Sequence, residues 1–332
     1  MTWLSNVVVE RLRDVATRPV LRSERYVILR PIGQGGMGCV YAARDTQLGR
    51  EVAIKVSNAA APTDDLDQRL RQEARVLARL EHPGIVPVHD AGLLEDGRWF
   101  YVMKLVRGET LADHARSLEH EAARLVVFER VAETVAFAHA AGIVHRDLKP
   151  SNVMVGQFGE VLVLDWGVAR VLADSEHDTG VRADRLISGT SGGTRMGTAG
   201  FMAPEQAQGD SSNAGPPADV YALGALLFWM WTGVAASTDA DDTSRRLREA
   251  SQAPSKRLAA IMRKCLSPVP SDRYASATEL VDDLARYRRG SAVSAYHETT
   301  IERVGRWLIR YQTFVWLVLA YLLMRVAFAV LR

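Results

Sequence analysis

Cysteine is almost missing from this 332-residue chain: Cys39 and Cys265 are the only two, far apart and without ligand-like spacing. That excludes a disulfide framework or a cysteine zinc site and suits a reducing compartment. Excess charge of one sign is missing too, since the formal net charge is +2. Nothing therefore points to a nucleic-acid partner, and the basic residues gather instead near the C-terminus. Met1–Glu24 lacks an uninterrupted apolar core followed by a small-residue cleavage site, so no signal peptide is expected, and a short lead-in helix is predicted over residues 1–25. Apolar residues are plentiful, at 48% of the chain. At this length they suffice for one large unit with extensions and leave no room for a second enzyme domain.

Along the chain, Tyr26–Ile32, Cys39–Arg44 and Glu51–Val56 read as strands, with a glycine cluster between the first two. A dinucleotide-binding glycine motif would instead open a helix, so that alternative fails on context. Asp64–Glu81 has helical periodicity, with Leu70, Ala74, Leu77 and Leu80 on one face. Trp99–Val106 reads as a strand. Leu111–Ala141 is mostly helical and is stopped by Gly142. Val153–Val155 and Val161–Leu164 form a short hairpin, Asp219–Thr232 an apolar helix, and helices continue to Arg289.

The run His145-Arg146-Asp147-Leu148-Lys149-Pro150-Ser151-Asn152, followed by Asp165-Trp166-Gly167, carries the chemistry. It places two metal-ligand types, Asn152 and Asp165, and a base type, Asp147, around one hairpin, with Lys149 beside them. A phosphoryl group passing through a loose transition state needs positioning and charge neutralisation of this kind. Further motifs follow in order: Ile32-Gly33-Gln34-Gly35-Gly36-Met37-Gly38-Cys39-Val40, Val52-Ala53-Ile54-Lys55 and Ala203-Pro204-Glu205. Over roughly residues 25 to 290 the chain thus resembles a bacterial eukaryotic-like, or Hanks-type, Ser/Thr protein kinase.

The resemblance implies an α+β, two-lobed fold: a small, mostly β N-lobe at 26–106 and a larger, mostly α C-lobe at 107–290. It implies ATP and Mg2+ as cofactors, with Asn152 and Asp165 on the metal. Asp147 would take the hydroxyl proton and Lys149 would neutralise the transferred group. Thr198 would contact both, and Glu73 would pair with Lys55. Ile32 to Val40, Ala53, Met103 and Leu105 would surround the nucleotide. Asp219 would hold the backbone of the catalytic loop and Arg273 would pair with Glu205. Lysine at position 149 implies protein substrates with Ser or Thr acceptors. A second copy of the chain, phosphorylated in trans, is a further expected partner. Arg146 would pair with a phosphorylated Thr190, Ser191 or Thr194. Three departures stand out: Trp166 where phenylalanine is usual, a polar insert over Ser175–Thr194, and a short polar stretch, Ser237–Ala253, where the substrate-docking helix is expected to be reduced.

After a basic juxtamembrane segment at 291–312, residues 313–331 are nearly all apolar except for Arg325. They predict a transmembrane helix in contact with lipid, with the kinase on the cytoplasmic side because arginines precede it. An interfacial or core helix is the competing reading. Two rival functions are a pseudokinase scaffold, disfavoured by the full set Lys55, Glu73, Asp147, Asn152 and Asp165, and a small-molecule phosphotransferase, disfavoured by Ala203-Pro204-Glu205.

Overall fold

The computed structural model describes residues 19–304 and 311–330, except positions 23, 36–37, 58–63, 168, 172–199, 209–214, 238 and 251. Five strands form the N-terminal sheet: β1 (Tyr26–Gly35), β2 (Gly38–Asp45), β3 (Arg50–Ser57), β4 (Val88–Leu93) and β5 (Trp99–Lys104), in the order β1-β2-β3-β5-β4. Every pairing is antiparallel. Helix α1 (Asp64–Arg79) lies between β3 and β4 in sequence and buries Leu70, Ala74 and Leu77, the face its periodicity predicts. The β1–β2 ladder runs further than expected, to the pairs Gln34–Cys39 and Gly35–Gly38, so the flanks of the glycine cluster belong to the sheet. A Cβ on Gly38 would stand 2.0 Å from the Val56 carbonyl oxygen, so the crossing of β2 over β3 admits only glycine there.

The C-terminal lobe is helical around two small antiparallel sheets. Strand β6 (Gly108–Thr110) leads into α2 (Leu111–His114), and α3 (Glu121–Ala140) follows after a 3-10 turn at Ala115–Ser117. The span from Leu111 is mostly helical, as expected, but divided into two helices. Thr110 caps the first by accepting from the Asp113 N–H, whereas Leu118 is buried in a non-helical conformation that starts the second on a new axis. Gly142, at φ 73°, ends α3 in the left-handed conformation that an L side chain resists. Strands β7 (Ile143–Val144), β8 (Val153–Gly156), β9 (Val161–Val163) and β10 (Arg170–Val171) frame the catalytic run. Helices α4 (Pro204–Ala207), α5 (Pro216–Thr232), α6 (Ala240–Glu249), α7 (Lys256–Cys265) and α8 (Ala277–Arg288) complete the lobe. Apolar on nearly every face, α5 is its buried centre. The polar stretch Ser237–Ala253, where a reduced helix was expected, holds the ten-residue α6, capped by the Asp239 carboxylate.

Two terminal expectations change. Residues 1–18 lie outside the described residues, but Pro19–Arg22 and Glu24–Arg25 are not helical. Leu21 bridges Leu94 and the Val20 carbonyl accepts from the Glu95 N–H, because Pro19 cannot donate into a helix while this sheet margin offers partners. At the other end, α9 (Gln312–Val330) is a helix with Trp316, Leu317 and Leu323 at least 64% exposed. No helix among the described residues is long and apolar enough to cross a membrane. Nineteen residues at 1.5 Å each reach about 28 Å, just under a hydrocarbon core of about 30 Å. Thr313 and Arg325 further interrupt the apolar surface.

Candidate active site

Register places the first cluster. Lys55 on β3 stands opposite Val40 of β2 and Tyr101 of β5, and its side chain meets α1. Lys55 Nζ donates to Glu73 Oε1 and Oε2 at 2.7 and 2.8 Å, and lies 3.5 Å from Asp165 Oδ1. Glu73 is 2% exposed. Burial alone would lower the Lys55 ammonium pKa, but the Glu73 and Asp165 carboxylates outweigh it and hold the group above the ordinary lysine value. The ammonium is thus a fixed cation at the back of the cleft.

The second cluster lies in the loop after β7. Lys149 Nζ donates to Asp147 Oδ2 at 2.7 Å, and Asn152 Nδ2 donates to both Asp147 O and Oδ2, at 2.8 and 3.1 Å. With the amide nitrogen committed to Asp147, Asn152 Oδ1 is the atom left to ligate. A carboxylate and an amide oxygen are hard donors of the kind Mg2+ takes when phosphates complete its shell, so Asp165 and Asn152 fit that ion. Asp165 (φ 60°) and Arg146 (φ 71°) are the described non-glycine residues at positive φ, and both sit at this site.

What holds Arg146 in that conformation is buried. Asp219, on α5 and wholly inaccessible, accepts from the His145 N–H and the Arg146 N–H at 2.7 Å each and from His139 Nε2 at 2.9 Å. Burial pushes its carboxyl pKa up, but the His139 and Arg146 donors more than reverse this and leave it below the ordinary aspartate value. Gln206 adds a second hold, donating to the Arg146 carbonyl at 3.1 Å while accepting from the Ala203 N–H at 3.3 Å. His145 accepts from the Asp147 N–H at Nδ1, which makes Nε2 the protonated nitrogen that donates to the Leu164 carbonyl. Trp166 packs its ring 4.6 Å from His145 and donates its indole N–H to the Val163 carbonyl at 3.1 Å. The tryptophan therefore adds a backbone anchor that phenylalanine lacks. Arg273 grips Glu205 bidentately at 2.7 and 2.8 Å, fixing the end of the segment that begins at Asp165.

Of the residues expected around the nucleotide, some are brought together. Ile32, Leu105 and Val106 line one cleft of about 580 Å3 together with Met154, Gly108, Arg107 and Glu51. Met103 pairs across the sheet with buried Ala53. Gly33 and Val40 pair across the β1–β2 hairpin, as do Gln34 and Cys39. Gly36, Met37 and Thr198, with the segment candidates Thr190, Ser191 and Thr194, lie outside the described residues. Sequence reasoning missed Tyr101, Met154, His139 and Gln206. Only Met154 left a signal: alternation along β8 turns it away from buried Val153 and Val155.

Residues 26–296 match the protein kinase domain family. The serine/threonine-protein kinase PknB of Mycobacterium tuberculosis is 36% identical over 295 residues, covering 84% of this chain and 45% of that protein. PknD of Chlamydia pneumoniae, also a serine/threonine-protein kinase, is 34% identical over 297 residues, covering 81% of this chain and 31% of that protein. The chain thus spans under half the length of these curated relatives. Among solved structures, the PknI kinase domain of Mycobacterium tuberculosis is similar with a TM-score of 0.57 and 25% identity, covering 80% of this chain and 96% of that one. With Lys55 of the β lobe set beside Asp165 of the helical lobe and the match running through both, the chain belongs to the protein kinase domain family.

Proposed function

We propose that this chain is a Ser/Thr protein kinase that transfers the γ-phosphoryl group of ATP, with Mg2+, to hydroxyls of proteins, a second copy of itself among them. The observation that carries the reading is the pair of charge clusters, Lys55–Glu73 with Asp165 and Asp147–Lys149–Asn152, on the two lobes of one cleft. Bound Mg2+–ATP supplies the transferable group. Lys55 would hold its phosphates, and Asp165 with Asn152 Oδ1 would hold the ion. Asp147 orients the acceptor hydroxyl and takes its proton, while Lys149 offsets the charge on the transferred group. Gly36, Met37 and Thr198 join this set by sequence motif alone.

The full chain incubated with ATP and Mg2+ is expected to phosphorylate a generic basic protein on Ser or Thr and to leave aminoglycosides untouched. Its specific rate of autophosphorylation is expected to rise with protein concentration. Transfer to aminoglycosides alone would make it a small-molecule enzyme. A rate independent of concentration would remove the trans step.

The proposal extends to a lipid contact. An apolar helix with Trp316, Leu317 and Leu323 exposed has no reason to remain in water, and Arg286, Arg288, Arg289 and Arg303 precede it, suiting the anionic cytoplasmic leaflet. The full chain is expected to float with anionic vesicles, and Leu317→Glu with Leu323→Glu is expected to lower the bound fraction at least tenfold, given the cost of charge in hydrocarbon. Equal flotation of both proteins would end the lipid reading.

A further inference from the structure

We propose that Tyr101 is a positioning residue for phosphoryl transfer: its hydroxyl locks Glu73, and with it α1, against the sheet so that Lys55 is presented to the nucleotide. The inference rests on the kinase reading for the role of Lys55. Its geometry stands alone. Antiparallel register sets Tyr101 on β5 directly opposite Lys55 on β3, so both side chains leave the same face of the sheet toward α1. Glu73 Oε1 accepts from Lys55 Nζ at 2.7 Å and from Tyr101 OH at 3.0 Å, while Oε2 takes the second Lys55 contact at 2.8 Å. One carboxylate is thereby tied to two adjacent strands.

A lysine alone is a rotating point charge on a flexible stem and fixes a carboxylate poorly. The phenol is rigid, 1% exposed and packed in the same core as Leu70 and Leu77. Burial and the neighbouring Glu73 push its hydroxyl well above the ordinary tyrosine value, so it remains a donor at all working pH. Because Glu73 is also buried, loss of this donor leaves part of a desolvated carboxylate unsatisfied. Packing alone would account for an aromatic ring here. The hydroxyl aimed at Glu73 is what packing does not explain.

Tyr101→Phe keeps the ring and removes the bond. In the full chain it is expected to lower kcat/KM for ATP about tenfold, the scale of a hydrogen bond to a charged group, chiefly through KM. Amide exchange within residues 64–79 is expected to speed up while other helices keep their wild-type rates. The decisive comparison repeats the change in a Glu73→Leu background, with affinity for a non-hydrolysable ATP analogue as readout. There the Tyr101 hydroxyl has lost its acceptor, so Tyr101→Phe is expected to cost no further affinity and to raise the Tm. Wild-type KM and exchange in Tyr101→Phe, or an equal cost in both backgrounds, would reduce Tyr101 to packing. Should Glu73→Leu not fold, exchange and KM of the single variant still decide. Absence of phosphotransfer in the wild type would overturn the kinase reading while leaving exchange and analogue binding to judge the lock.

Discussion

Asp147→Asn is expected to fold as the wild type does, to bind nucleotide with unchanged affinity and to lose phosphoryl transfer by a factor of about 10²–10⁴. The fold is preserved because the aspartate's structural bonds run through its backbone: its N–H donates to His145 Nδ1 and its carbonyl accepts from Asn152. The asparagine side chain fills the same volume. What it lacks is a second carboxylate oxygen able to take a proton, and the negative charge that draws Lys149 Nζ to 2.7 Å. Initial rates on a basic protein, beside Tm and analogue affinity, separate these effects. A rate within tenfold of wild type would show that Asp147 is not the base, and a parallel fall in Tm would assign the loss to folding.

How much of this was legible in the sequence follows from how local each signal is. Motifs whose chemistry constrains neighbouring residues were readable, and they led to Lys55, Glu73, Asp147, Asn152, Asp165, Glu205, Asp219 and Arg273. The long spans between partners, such as Glu205 to Arg273, could be crossed only by resemblance, because no periodicity links a helix start to a loop 68 residues later. Tyr101 was invisible for a different reason: an aromatic residue in a strand is ordinary, and only register with β3 turns its hydroxyl toward Glu73. Gln206 likewise reads as a helix-start residue until the fold sets Arg146 above it. The break between α2 and α3 was missed because every residue from Ala115 to Glu119 tolerates helix, and the burial of Leu118 decides otherwise. At the C-terminus, composition described an apolar helix well, whereas crossing a membrane depends on a few residues of length and the polar ones among them.

Asp219→Asn is the substitution expected to cost most in stability. Asp219 offers acceptors only, and three donors use them: the Arg146 N–H on Oδ1, and the His145 N–H with His139 Nε2 on Oδ2. His139 cannot turn away, because its Nδ1 already accepts from the Ala277 N–H at the start of α8. An asparagine keeps one oxygen and sets an NH2 group against donors on the other side, in a place no water reaches. Breaking such a buried charged hub costs about 3–5 kcal/mol, and in a domain of this size each kcal/mol lowers Tm by about 2–4 °C. The cost depends on pH in a definite sense. The hydrogen bonds that Asp219 accepts, from His139 first, outweigh its burial and hold its carboxyl below the ordinary aspartate value, so its contribution is full above about pH 4 and is lost as pH falls through the folded pKa. The gap in Tm between wild type and Asp219→Asn is therefore expected to be wide at pH 7 and to narrow in acid. Phosphotransfer is expected to fall with it, since the left-handed Arg146 and the Asp147 beside it hang from the same carboxylate. A gap that stays constant as pH falls from 7 to well below 4 would mean that Asp219 works by shape, with no part played by its charge.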